Sequence, residues 1–260
     1  MIIDTHAHYD DEAFDSDRDE ILQGMQEHGV GAIINVGADL SSTASTIALA
    51  RRIPFLYAAA GVHPSDVTQL TEETFAKLKQ DCRDEKVAAI GEIGLDYHWP
   101  EPSHEIQKTW FRRQLQLADE LDLPVSIHSR DAAQDTLRVM QDLPALPRKG
   151  SIHCFSYSKE IALIFQDMGY FFGIGGVITF HNARKLREAV EVLPLERLLL
   201  ETDCPYLAPE PYRGSRNCSY YLQEVAEAIA QIKGVSKQKV IDATRQNAIE
   251  LFRLPEHLAE

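Results

Sequence analysis

The sequence predicts an α/β chain of the (β/α)8 TIM-barrel class, a single domain over residues 1–260 with extra helices at its C-terminal end. Two observations carry that prediction. Short apolar or β-branched runs recur eight times along the chain, and most are continuous instead of alternating, the signature of parallel strands covered on both faces. The segments between them show helical spacing, and eight strand–helix alternations over about 250 residues are the pattern of this barrel. A doubly wound open sheet is the competing fold, but it normally carries a glycine-rich turn after its first strand, and none is present.

In chain order the runs are "MIIDTHAH", "GAIINVG", "FLYAAAGVH", "KVAAIGEIGLD", "PVSIHS", "GSIHCF", "YFFGIGGV" and "RLLLETDCP". Between the fourth and fifth, Ile106, Trp110, Leu117 and Leu121 form a helical stripe, broadened by Phe111, Leu115 and Ala118. Pro124 ends that helix and leads into the fifth strand. After the eighth run a Pro/Arg/Gly-rich loop, residues 208–217, precedes two helices, the last capped by Ser236 with Val235 and Val240 placed as a hydrophobic staple. "GIGGV" lacks the Lys-Ser/Thr of a phosphate loop, so its glycines point to close backbone approach at strand seven.

Composition narrows the function classes. Hydrophobic residues make up 44% and charged residues 25% of the chain, ordinary values for a globular protein. No segment has the roughly 18 apolar residues of a membrane span, and the start carries no basic leader. Cys82, Cys154, Cys204 and Cys218 are widely spaced, which favours reduced thiols and a cytoplasmic location. Cys154 and Cys204 neighbour candidate ligands, and strand alternation assigns both to packing. The formal net charge of −14 argues against bulk electrostatic binding of nucleic acid, although local arginines can still meet phosphates. No obligate protein partner is evident.

The chemistry sits at the ends of the strands, where such barrels keep their working residues. An isolated His-x-His pair such as His6 and His8 reads as solvated surface. Here, however, strand three ends in His63, strand five in His128 and strand six in His153, so five of the ten histidines fall at strand ends. Strand four adds Glu92 and Asp96, and strand eight adds Asp203. Imidazole and carboxylate donors without thiolate suit a site for two divalent ions, zinc, manganese or magnesium. Glu92 is the natural bridging carboxylate, and Asp203 can ligate one ion and also take a proton from water. Arg213, with Tyr206, Tyr212 and Arg216 nearby in sequence, suits contact with a single strand.

"DTHAH", "GVHP", "GEIGLDY", "IHSRDA", "HCFS" and "LLLETDCPYLAP", in this order, resemble the TatD family of metal-dependent deoxyribonucleases, which belongs to the amidohydrolase-like barrels. The resemblance implies one ion held by His6, His8, Glu92 and Asp203 and a second held by Glu92, His128 and His153. It implies phosphate contacts from His63 and Arg130, and hydrolysis of DNA, single-stranded or at a 3′ end, as a 3′–5′ exonuclease. A carboxylated lysine bridges the metals in many related barrels that cleave cyclic amides, lactones or small phosphoesters; Glu92 in its place favours the nuclease branch. Two departures stand out. Members often read "RGxxNxP" after strand eight, whereas "RGSRNCSY" keeps Arg213, Gly214 and Asn217 but continues with Cys218 and Ser219. Tyr9 also stands where a leucine is usual.

Overall fold

A computed structural model describes residues 1–259. All eight expected strands are present: β1 (Ile2–Ala7), β2 (Val30–Val36), β3 (Leu56–Ala60), β4 (Val87–Asp96), β5 (Val125–Arg130), β6 (Gly150–Ile152), β7 (Phe171–Ile174) and β8 (Leu198–Leu200). They follow one another in one sheet in the order β1 to β8, and helices alternate with them. The fold is the (β/α)8 barrel class that the apolar runs predict. The helices are α1 (Arg18–Gln23), α2 (Leu40–Arg52), α3 (Glu72–Asp81), α4 (His104–Leu121), α5 (Ala133–Gln141), α6 (Lys159–Asp167) and α7 (Arg184–Val192). Two more follow β8: α8 (Leu222–Lys233) and α9 (Lys237–Phe252), whose N-terminus Ser236 caps through the Lys239 N–H. Among the described residues no helix is long and apolar enough to cross a membrane.

The chain divides into two compact units, one of Met1–Asn35 with the residues from Cys154 onward, the other of Val36–His153. In the first, β1 runs parallel to β2 with Asp4 opposite Ile33, and β7 runs parallel to β8 with Ile174 opposite Leu200. A parallel bridge from Ala7 to Cys204 sets the end of β1 beside the segment that leaves β8. Asn247 of α9 donates to the carbonyls of Leu195 and Leu198, fixing the approach to β8. The expected close backbone approach holds for Gly176, just past β7, whereas Gly173 within the strand makes room for a side chain. A Cβ on Gly173 would stand 1.8 Å from the Glu201 carboxylate, and one on Gly176 would stand 2.1 Å from the Leu207 carbonyl.

In the second unit β3, β4, β5 and β6 pair parallel in sequence, with Gly94 opposite His128 and Asp96 opposite Arg130. Every residue of β4 is buried, which accounts for its unbroken apolar run. Helix α4 packs on β4, but its buried face differs from the expected stripe. Ile106 is exposed, while Gln107 and Gln114 are buried in line with Phe111 and Ala118. Each glutamine satisfies the backbone of a residue at or just past a strand end. Gln107 accepts from Asp96 N–H at 2.8 Å and donates back to the Asp96 carbonyl at 2.9 Å. Gln114 does the same for Val62, at 2.8 and 3.0 Å. The buried backbone groups of Asp96 and Val62 are thereby hydrogen-bonded by side chains of α4.

Candidate metal centre

Hydrophobic burial of Ile2, Ile3 and Ala7 fixes β1, and the strand's end delivers His6 and His8. His6 is fully buried and His8 half-buried. Their Nε2 atoms stand 3.3 Å apart, and the Asp203 carboxylate lies 4.0 Å from the first and 3.4 Å from the second. Two nitrogens at zinc-ligand distance from one ion in tetrahedral geometry are separated by about 3.4 Å. The three donors therefore fit a single divalent cation. Asp203 reaches them because its backbone takes the left-handed conformation, φ 58°, while its N–H donates to the His6 carbonyl at 2.9 Å. Buried Asn217 holds the same turn, donating to the carbonyls of Thr202 and Tyr206, both at 2.8 Å.

Asp4 lies fully buried, and its carboxylate gathers four donors. The N–H groups of His6 and Thr202 reach one oxygen, and the hydroxyls of Thr202 and Ser219 reach the other, at 2.7 and 2.6 Å. Burial pushes the Asp4 carboxyl up to about 7, and the bonds from Ser219 and Thr202 oppose that rise. Glu201, also buried, accepts from the Cys154 N–H at 2.6 Å and occupies the space left by Gly173.

The second unit builds its own cluster around Glu92, which β4 carries into the interior with 4% exposure. His128 Nδ1 is 2.8 Å from Glu92 Oε1, and the Nε2 atoms of His153 and His63 stand 3.8 and 3.9 Å from that same oxygen. Ligand atoms of His63, Glu92 and His128 all lie within 4.8 Å of one another, so this set also fits a divalent ion. His128 turns its other nitrogen to Asp96, 3.0 Å away. Burial works against charge on the His128 imidazole, yet the bonds to Asp96 and Glu92 hold its pKa above the ordinary value. Burial would likewise raise Asp96, but His128 and the His98 N–H bring it below the usual carboxylate range. A metal-ligating imidazole commonly gives its second N–H to a carboxylate, which fixes the ring. Asp96 is placed for that task.

The six expected ligands thus fall into two groups: His6, His8 and Asp203 in the first unit, and Glu92, His128 and His153 in the second. His63, expected to face phosphate, stands beside Glu92 with its ring 4.3 Å from that of His128, and its Nδ1 accepts from the Ser65 N–H. Arg130 is exposed at the end of β5. Arg213 is also exposed, with its guanidinium 4.3 Å over the Phe180 ring. Arg216 is instead committed internally, paired with both oxygens of Asp17 at 2.9 and 2.5 Å. Of the two cysteines assigned to packing, Cys204 is fully buried, whereas Cys154 is half-buried with φ 44°. Sequence reasoning gives no task to Asp96 and does not single out Asp4, Glu201 or the α4 glutamines. A glutamine at seven-residue spacing on an apolar helix face is the available signal for the last pair.

The chain matches the TatD-related DNase family over residues 3–253. It is 41% identical to a Bacillus subtilis protein described as an uncharacterized metal-dependent hydrolase, YabD, over 98% of this chain and all of that one. It is 34% identical to a Mycobacterium tuberculosis protein described as an uncharacterized metal-dependent hydrolase, TatD, covering 97% of this chain and 98% of the relative. Among solved structures, the Escherichia coli TatD homologue YjjV superposes with a TM-score of 0.92 at 35% identity, covering 98% of each chain.

Proposed function

The chain belongs to the TatD-related DNase family of metal-dependent hydrolases, and from that premise we propose that it is a divalent-metal-dependent deoxyribonuclease that trims DNA from a 3′ end. The observation that carries the reading is the pair of His/carboxylate groups, His6, His8 and Asp203 in one and His63, Glu92 and His128 in the other, each with its donor atoms within 4.8 Å of one another. One ion is held by His6, His8 and Asp203, the other by Glu92 and His128 with His153 or His63. The imidazole-rich sets suit zinc or manganese better than magnesium. Bound divalent ions supply Lewis acidity toward a phosphoryl oxygen and acidify water near neutral pH.

The chain's own residues do the rest. Asp203 is the carboxylate with access to solvent, its side chain 19% exposed against 6% for Glu92, so it takes the proton of the attacking water. Glu92 stays ionised as the anchor of the second set, and Asp96 keeps His128 in the tautomer and orientation that present Nδ1 to it. The exposed guanidiniums of Arg130 and Arg213 pair with phosphates, a local attraction that an otherwise acidic chain needs. The site of action is the cytoplasm.

The test is to strip the protein of metal and incubate it with end-labelled single-stranded DNA, duplex DNA and RNA, with zinc, manganese or magnesium restored. Stepwise shortening of DNA from the 3′ end, dependent on added ion, is the expected outcome. Hydrolysis of a small phosphoester or lactone with no action on any DNA would redirect the reading to a small-molecule hydrolase.

A further inference from the structure

Tyr9 and Ser219 meet in space: they are 210 residues apart in sequence, and their hydroxyl oxygens are 2.8 Å apart. Both side chains are fully buried. Ser219 also donates its N–H to the Tyr9 hydroxyl at 2.9 Å, a bond that no proline could make. Its own hydroxyl proton goes to Asp4 at 2.6 Å, so Tyr9 is the donor in the hydroxyl pair.

Ser219 therefore grips β1 on both sides of the histidine pair, at Asp4 before His6 and at Tyr9 after His8. Asp4 in turn binds the His6 N–H and both the N–H and hydroxyl of Thr202, the residue before Asp203. All three donors of the first cluster are thus one or two residues from a member of a single buried network. Loss of one bond would leave polar atoms unpaired in a water-free interior, and the backbone would shift to satisfy them.

We propose that Tyr9 and Ser219 are positioning residues for the first cluster, a hydrogen-bonded pair that sets the spacing of His6 and His8 against Asp203. The proposal rests on the reading of those three residues as ligands of an ion. Neither side chain is a ligand, and neither reaches solvent.

The experiment is titration of the metal-stripped protein with Co²⁺, followed by visible absorbance and calorimetry, so that the readout does not depend on knowing the substrate. His6→Ala assigns the isotherm that belongs to the first cluster. If that variant loses no ion, the metal reading fails and the proposal falls with it. Tyr9→Phe, which keeps the ring, and Ser219→Ala are expected to weaken that isotherm tenfold or more and leave the second unchanged. Ser219→Thr, which keeps both the N–H and the hydroxyl, is expected to restore it. Tyr9→Leu with Ser219→Pro removes both halves of the pair, and its loss is expected to be smaller than the sum of the single losses. With nuclease substrate in hand, Tyr9→Phe is expected to lower kcat at saturating metal with KM little changed. Wild-type affinity in a folded Tyr9→Phe protein would overturn the positioning role, and strictly additive losses in the double variant would overturn the pairing. If Ser219→Ala does not fold, Tyr9→Phe decides the question.

Discussion

His128 Nδ1 stands 2.8 Å from the carboxylate of Glu92 in the buried end of β4 and β5, the shortest donor contact of the second cluster. Both groups are competent ligands; His128 is held opposite Gly94 in the β4–β5 register, and the Glu92 N–H donates to the Gly37 carbonyl at 3.0 Å.

Glu92→Ala should therefore remove the second ion. Metal content after dialysis is expected to fall from two per chain to one or fewer, with hydrolysis nearly abolished and circular dichroism unchanged. One remaining ion would report a carboxylate serving the second set alone; less than one would report the shared ligand that the family resemblance implies. A folded variant that keeps two tightly bound ions would remove Glu92 from the site.

Asp203→Asn is nearly isosteric, but its amide cannot accept a proton from water. A loss of about 10²–10⁴-fold in kcat is expected, the usual range for a general base. Turnover close to wild type would place the base elsewhere.

Asp96→Asn tests the support of His128. The amide keeps the shape but not the charge, and the second ion should bind about 10–100-fold more weakly while the first is unaffected. Calorimetric titration separates the two. Equal weakening at both sets would contradict a role confined to His128.

Gly173→Ala addresses stability alone. An added Cβ would meet the buried Glu201 carboxylate at 1.8 Å, and that carboxylate already accepts from the Cys154 N–H. A destabilisation of about 3 kcal/mol is expected in urea unfolding, at the upper end for overpacking. An unchanged midpoint would mean that Glu201 moves freely.

Arg130→Ala and Arg213→Ala should each raise KM more than they lower kcat. The salt dependence of binding to single-stranded DNA should flatten, by about 0.7 in the log–log slope for each phosphate that is no longer neutralised. Equal affinity at low ionic strength would put either arginine outside the substrate path.

Much of this molecule is legible in its sequence, and the reason is physical. A strand covered on both faces must be apolar throughout, so β4 announces itself as "KVAAIGEIGLD". Histidine is rare enough in such runs that His6, His63, His128 and His153 stand out at their ends. Polar groups whose partners lie far along the chain are not legible. Gln107 and Gln114 look like solvated positions until the ends of β4 and β3 supply their partners, which is why Ile106 reads as part of the buried stripe. Arg216 looks like a basic rim residue until Asp17, 199 residues away, claims it. The Asp4–Ser219 bond spans 215 residues and leaves no local pattern in either segment.

The two glutamines of α4 also bear on the dynamics of the second cluster. Each side-chain amide stands in for a neighbouring strand, so the N–H and C=O of Val62, two residues past β3, and of Asp96, the last residue of β4, are tied to the helix. Hydrogen exchange at the amides of Val62 and Asp96 must then await the unfastening of α4, and the three segments should open as one cooperative unit. Because Val62 adjoins His63 and Asp96 holds His128, the lifetime of the helix sets the lifetime of the ligand geometry.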